Sequence, residues 1–285
     1  MAPFKRQTSG AVVCASCGRL VGVNDEQCLN CGRRNPGLWG FAPLVRALGR
    51  DAGFVPLILT GCIGLYLASL LLGGGARAMS GGPLGILSPR FESLFLLGAS
   101  GALPVFELGR WWTLLSAGWL HGGLLHLFFN MLWVRQLAPE TAELYGPGRL
   151  VIIYTVAGVT GFALSSAAGA YVPFLGGAQF TVGASAAIFG LLGALVHYGR
   201  RTGSSVVHGQ ALTYAVVMFV FGLIMPGVDN YAHAGGFAGG YLAGRVLDPM
   251  TPERLDHIVI ALACLAASLA AVVASLLFGL PLFRT

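Results

Sequence analysis

The chain has 285 residues, 55% hydrophobic and only 10% charged, with a mean hydropathy of +0.75. A soluble domain carries about a quarter charged residues, so an ordinary soluble protein is excluded. The formal net charge is +6, but no basic patch interleaved with aromatics marks a soluble nucleic-acid-binding domain, and no nucleic-acid partner is expected.

The start, MAPFKRQTSG, has no apolar core ahead of a small-residue cleavage site, so no signal peptide is expected. Residues 1–36 then hold two CxxC pairs, Cys14/Cys17 and Cys28/Cys31, each followed by a glycine, Gly18 and Gly32. Two thiolates on a tight turn can share one ion, and two such turns supply the four sulfurs of a closed, structural Zn2+ site. This spacing resembles a small zinc ribbon, with a short hairpin through Val21–Asn24 in the gap. Disulfides are the competing reading, set aside because this segment is expected on the reducing side of the membrane. Over 37–54, Trp39, Phe41, Leu44, Val45 and Leu48 recur at near-helical spacing beside Arg46 and Arg50. That pattern suits an interfacial helix, and a plain juxtamembrane linker equally.

Seven apolar stretches follow, at about 55–73, 126–145, 149–170, 185–199, 210–226, 231–247 and 257–281, read as membrane spans. Cys62 and Cys264 fall within them as small packing residues. With the N-terminus in the cytoplasm, only Arg77, Arg90, Arg110 and Arg284 of the 17 Lys and Arg residues lie outside, so the positive-inside rule selects that orientation.

Polar residues inside spans are costly and point to function. In WLHGGLLHLFFNMLW (119–133), His126 and Asn130 are four apart and share one helix face, with His121 at or before the helix start. Hydrogen bonds pinning a loop to a helix are the structural reading, and for His121, near the interface, the preferred one. In GASAAIFG (183–190), a helix starting at Ser185 and ending near Arg200–Arg201 would be roughly 22 Å long. That is shorter than a hydrocarbon core of about 30 Å, so Ser185 is expected below the outer surface, at a helix N-terminus lining a cavity. Taken alone, a Ser among small residues is more often a packing residue. In DNYAHAGGFAGGYLAG (229–244), Gly236, Gly240 and Gly244 make a face that another backbone can approach closely, and His233 projects near that face. Packing this helix on the one that holds Ser185 would bring Ser185 and His233 together, the requirement of a Ser–His dyad.

The order HxxxxHxxxN, then GxSx, then AHxxGxxxG resembles the rhomboid family of intramembrane serine proteases over roughly residues 55–247. The resemblance implies an all-α polytopic membrane protein, with a rhomboid-like six-helix core, one extra C-terminal transmembrane helix in 248–285 and the small N-terminal zinc ribbon. It further implies Ser185 as nucleophile and His233 as general base and acid. The oxyanion hole would come from the Ser185 backbone N–H and the side chains of His126 and Asn130. Supporting roles fall to His121, to Phe189 beneath His233, and to Gly236 and Gly240. Segment 74–120 resembles the family's membrane-dipping loop, and the span near 210–226 the mobile flank through which a substrate helix enters. No cofactor is implied for catalysis.

Three positions depart from the family pattern. Ala186 follows the nucleophile where Gly is usual, the family's Trp-Arg pair is Trp112-Thr113 with Arg110 nearby, and Phe189 stands where Tyr is commoner. No carboxylate is expected at depth to orient His233, since Asp229 falls at the outer loop.

The expected partners are transmembrane protein substrates and the lipid bilayer, together with a cytoplasmic partner of the ribbon. The expected location is a bacterial inner (plasma) membrane, with the active site opening outward. A non-catalytic rhomboid-like scaffold that binds membrane helices is the rival reading, although such relatives lack the Ser or the His. A transporter would need polar groups through both halves of the bilayer and internal repeats, and the chain has neither.

Overall fold

The computed structural model describes residues 6–280 apart from 16, 44–48, 50, 75–76, 80–85, 173 and 175–176. The core of the expected juxtamembrane helix, with Leu44, Val45, Arg46, Leu48 and Arg50, lies outside the described residues.

The head pairs β1 (Ala11–Val13) with β2 (Leu20–Gly22) antiparallel, Val12 opposite Val21. The hairpin therefore turns at the first CxxC pair, and not through Val21–Asn24 as the gap length suggested. Val21 belongs to the strand, and the following turn is closed by Gly22 N–H donating to the Asp25 carboxylate at 2.7 Å. Helix α1 (Phe54–Leu72) leads to a second hairpin, β3 (Arg77–Met79) with β4 (Ile86–Ser88). Next come the short helices α2 (Phe91–Leu97) and α3 (Thr113–Ser116), with a π-helical turn at Leu103–Glu107 between them. Five long helices complete the chain up to α9: α4 (Leu124–Tyr145), α5 (Pro147–Tyr171), α6 (Ser185–Thr202), α7 (Ser205–Ile224) and α8 (Asn230–Val246) form the rest of the six-helix core, and α9 (Leu255–Gly279) is the extra C-terminal helix.

Among the described residues, α1, α5, α7 and α9 are long and apolar enough to cross a membrane by length and composition alone. The other three long helices carry the polar residues singled out from the sequence. α6 is the central one, buried along almost its whole length.

The packing of α6 against α8 is set by small residues four apart on both helices. A Cβ at Gly236 would run into the Ala186 carbonyl oxygen, one at Gly240 into the Gly190 carbonyl, and one at Gly244 would lie 3.2 Å from Ala194. The opposite face of α8 meets α5 in the same way: a Cβ at Gly235 would lie 2.7 Å from the Thr160 carbonyl oxygen. Thr160 Oγ1 also donates to the Gly235 carbonyl at 3.0 Å. Ala186, unusual for the family pattern, is accommodated by α5. Its methyl lies where a side chain on Gly161 would come within 2.7 Å, so the space vacated at Gly161 holds it.

Two clamps attach α9. At the head end, the buried Arg149 donates to the backbone carbonyls of Thr251 and Pro252, both at 2.8 Å, and its own N–H donates to Glu253 at 3.0 Å. At the other end, the loop before α4 is anchored on α9. Trp112 Nε1 donates to Ser275 Oγ at 3.1 Å, and Arg110 donates to the Ser275 carbonyl at 3.2 Å while lying 4.3 Å above the Phe95 ring. The missing Trp-Arg pair is thus replaced by contacts with the extra helix.

Gly240→Ala should wedge the α6–α8 seam open and cost about 1–3 kcal/mol, the usual penalty of overpacking. Gly209 lies on α7 with open space around its Cβ position, so Gly209→Ala should be neutral or stabilising. Thermal unfolding in detergent micelles compares the two; equal midpoints would contradict the seam.

Candidate active site

Ser185 is the first residue of α6, as the sequence predicted. The helix continues past Arg200–Arg201 to Thr202, giving 18 residues and about 27 Å, somewhat longer than expected. It is still recessed. The next residue, Ala186, packs at Gly161 of α5, and α5 runs on to Tyr171, about 15 Å of further helix. The irregular approach descends along α5 and pairs with the preceding loop: Ser100 and Thr181 exchange N–H···O bonds of 2.8 and 3.1 Å, and Ala102 N–H donates to Ala178 at 3.0 Å. This pairing satisfies backbone groups that lipid could not. Gly183, at φ +131°, makes the turn into the helix, and its N–H donates to the Ala117 carbonyl at 3.0 Å. No side chain caps α6, so its first N–H groups have no intrahelical acceptor.

His233 is held by α8. The helix is capped by Asp229, whose carboxylate accepts from Ala232 N–H at 3.0 Å and from Ser165 Oγ at 2.5 Å. The imidazole is buried and stacks flat on Phe189 of α6, with centroids 4.1 Å apart and planes 15° from parallel. Its Nδ1 lies 3.1 Å from Asn230 Oδ1, and Asn230 Nδ2 in turn reaches the Phe219 carbonyl at 3.4 Å. A carbonyl can only accept, so the network assigns the Asn230 oxygen to the ring and the proton to Nδ1, leaving the Nε2 lone pair free. Asn230 was missed from the sequence, where the search was for a carboxylate. Its position three residues before His233 on one helix was the available signal.

His126 Nδ1 accepts from Gly122 N–H at 3.3 Å, which makes Nε2 the protonated nitrogen. A Cβ on Gly183 would lie 2.7 Å from that Nε2 and 3.9 Å from Ser185 Oγ, so the bare glycine keeps open the space between the two groups. Asn130 is buried and donates one Nδ2 hydrogen to the His126 carbonyl of its own helix at 2.7 Å. Nδ2 has a second hydrogen, as the amide requires. His121 is fully buried just before α4 and meets His126 ring to ring, edge-on, at 5.2 Å. Its tie to the helix is thus an aromatic contact. Ser185, His233, His126 and Asn130 all line one cavity of about 750 Å³, walled on one side by Val217 and Phe221 of α7. Gly236 and Gly240 do not line it; they bring α8 onto α6.

The second cluster is in the head. The sulfurs of Cys14, Cys17, Cys28 and Cys31 all lie within 4.8 Å of one another, with Cys14–Cys31 at 3.8 Å and Cys17–Cys28 at 3.6 Å. Zinc–sulfur bonds of about 2.3 Å require tetrahedral edges of roughly 3.8 Å, so the four sulfurs fit such an ion. Gly18 and Gly32, at φ +75° and +71°, close the two turns, each donating its N–H to the first cysteine of its pair. No disulfide links these cysteines. The thiols of Cys17 and Cys31 do not ionise alike. At Cys31, burial pushes the thiol up to about 12; at Cys17, burial is outweighed by hydrogen bonds from the Arg19 backbone and neighbouring side chains, which lower it to about 6. A divalent cation would relieve that conflict. The cluster could therefore hold a metal ion, with all four sulfurs used and no coordination position left open.

Comparison with known proteins supplies the family. Residues 108–249 match the Rhomboid domain. The chain is 36% identical to RHOMBOID-like protein 4 of Arabidopsis thaliana over 57% of its length, and 33% identical to Rhomboid protease GluP of Bacillus subtilis (strain 168) over 56%. These matches span 40% and 30% of the two relatives, less than half of each. It is also 29% identical to Inactive RHOMBOID-like protein 8 of Arabidopsis thaliana, over 56% of this chain and 44% of that protein. With the six-helix core and the Rhomboid domain match together, this chain belongs to the rhomboid family.

Proposed function

We propose that the chain is an intramembrane serine endopeptidase that cleaves transmembrane segments of membrane proteins with Ser185 and His233. The observation that carries this reading is the meeting of both residues on one cavity, with the His233 ring stacked on Phe189 and its Nδ1 3.1 Å from Asn230 Oδ1. In that arrangement Nε2 takes the Ser185 hydroxyl proton as Oγ bonds to the substrate carbonyl carbon. The developing oxyanion lies at the uncapped start of α6, where the Ser185 N–H, His126 Nε2–H and the second Asn130 amide hydrogen are the candidate donors. The imidazolium then protonates the leaving amine as the C–N bond breaks, and water releases the acyl group by the same route in reverse. Phe189 in place of Tyr keeps the stacking surface.

The domain boundaries follow the same reading: 1–36 as zinc ribbon, 37–54 as linker, 55–247 as protease core and 248–285 as the added helix. The Lys and Arg bias supports a cytoplasmic head. α6 and α8 both begin at the cavity and end toward the head, so the cavity would open on the outer side; in a bacterium this is the outer face of the plasma membrane. α7 is the candidate flank for substrate access, since Ala211, Ala215 and Gly222 are its only buried residues among those described. The head would hold structural Zn2+ and serve a cytoplasmic partner. One relative is called inactive, which keeps a non-catalytic scaffold for membrane helices as the second reading; the presence of both Ser185 and His233 favours the enzyme.

Reconstitution with a model transmembrane substrate tests the dyad. Ser185→Ala should abolish cleavage and His233→Ala should lower it by at least about 100-fold, with Asn130→Ala lowering it by roughly 10- to 100-fold. Cleavage that persists in both dyad variants would sink the assignment. Metal analysis of the purified full chain should find zinc, absent from Cys28→Ser. A zinc-free wild type would refute the ribbon.

A further inference from the structure

The proposed dyad requires His233 to present Nε2, not Nδ1, as its unprotonated nitrogen. The charged neighbour on its own helix does not impose this: the Asp229 carboxylate is committed to Ala232 N–H and to Ser165. The ring's partner is Asn230 Oδ1, and the Asn230 amide is itself oriented by a different helix. Its Nδ2 reaches the Phe219 carbonyl of α7. One turn further along α7, Gly222 leaves bare the backbone on which the amide rests. A Cβ there would run into Asn230 Oδ1 and lie 2.8 Å from Val228 Cγ1. Phe219 and Gly222 are three apart and so share one face of α7. That face sits on the start of α8, while most of α7 is exposed.

We infer that Asn230 is a positioning residue that fixes His233 with Nδ1 protonated and Nε2 free, and that α7 holds Asn230 in this orientation through the Phe219 carbonyl and the bare backbone at Gly222. The proposal rests on the dyad reading and deepens it. The base is set only while this end of α7 is packed on α8. If α7 swings aside to admit a substrate helix, Asn230 loses its orienting carbonyl, and the base is restored when α7 returns. Access and chemistry then alternate, and the wall of the cavity controls the tautomer of the residue that works inside it.

The test is steady-state cleavage of a reconstituted model transmembrane substrate, read beside the rate at which a small fluorophosphonate labels Ser185. Labelling needs an activated serine but no docked helix. Asn230→Leu keeps the volume and removes the acceptor. It should lower kcat about 10- to 100-fold with KM within about twofold, and slow labelling in parallel. Asn230→Asp keeps an acceptor for the Nδ1 proton but cannot donate to the Phe219 carbonyl, so its kcat should lie above that of Asn230→Leu and below wild type. Gly222→Ala, which touches no reacting group, should lower kcat and labelling in the same direction as Asn230→Leu. Thermal unfolding of each variant allows rates to be compared at equal folded fraction. The inference is overturned if Asn230→Leu and Gly222→Ala stay within about twofold of wild type in kcat and labelling, or change KM alone, while Ser185→Ala and His233→Ala are inactive; the dyad would then stand without it. Cleavage by Ser185→Ala would remove the dyad reading, and this inference with it.

Discussion

The structure depends on how closely α6 and α8 approach each other. Lipid supplies no hydrophobic drive for one apolar helix to pack on another, so the approach must be won by surface shape. Gly236, Gly240 and Gly244 of α8 lie on α6 at Ala186, Gly190 and Ala194, and at the first two the carbonyl oxygens of Ala186 and Gly190 occupy the space of missing side chains. The cost of so many glycines in one helix is about 1 kcal/mol each in an isolated helix, and it is offset by contacts that no larger residue permits. His233 and Phe189 lie along this seam, and their stacking at 4.1 Å is a consequence of it.

The second constraint is depth. A helix that begins inside the membrane leaves backbone donors without partners. Here Ser185, the first residue of α6, lines the cavity, and the irregular chain before it is paired with the loop at Ser100 and Ala102. The arrangement that would be a defect in a simple span becomes the place where a negative charge is best tolerated. The added helix α9 contributes at both ends, through Arg149 toward the head and through Ser275 under the loop. It is therefore part of the framework that holds the loop against the site.

Much of this was legible in the sequence because membrane topology is a one-dimensional problem. Arg200–Arg201 close the apolar run that begins at Ser185, so the ends of α6 could be read within a few residues, and repeated glycines report a contact face whatever lies opposite. The CxxC spacing likewise carries its own geometry, although the hairpin proved to turn at Cys14–Cys17. What could not be read were contacts between distant segments. Ser275, far along the chain from Trp112, anchors the loop, and Gly161 on a third helix makes room for Ala186. Asn230 was hidden for a chemical reason: a neutral amide that orients a histidine looks like any polar residue at a helix start. Its role depends on Phe219 and Gly222, which have no chemistry of their own.

In the proposed dyad, the seam delivers an activated serine at the start of α6. Peptide mapping of the full chain after reaction with a fluorophosphonate tests it most directly. A single adduct on Ser185, lost in His233→Ala, is expected. No adduct, or one on Ser165 or Ser166 that survives His233→Ala, would contradict it.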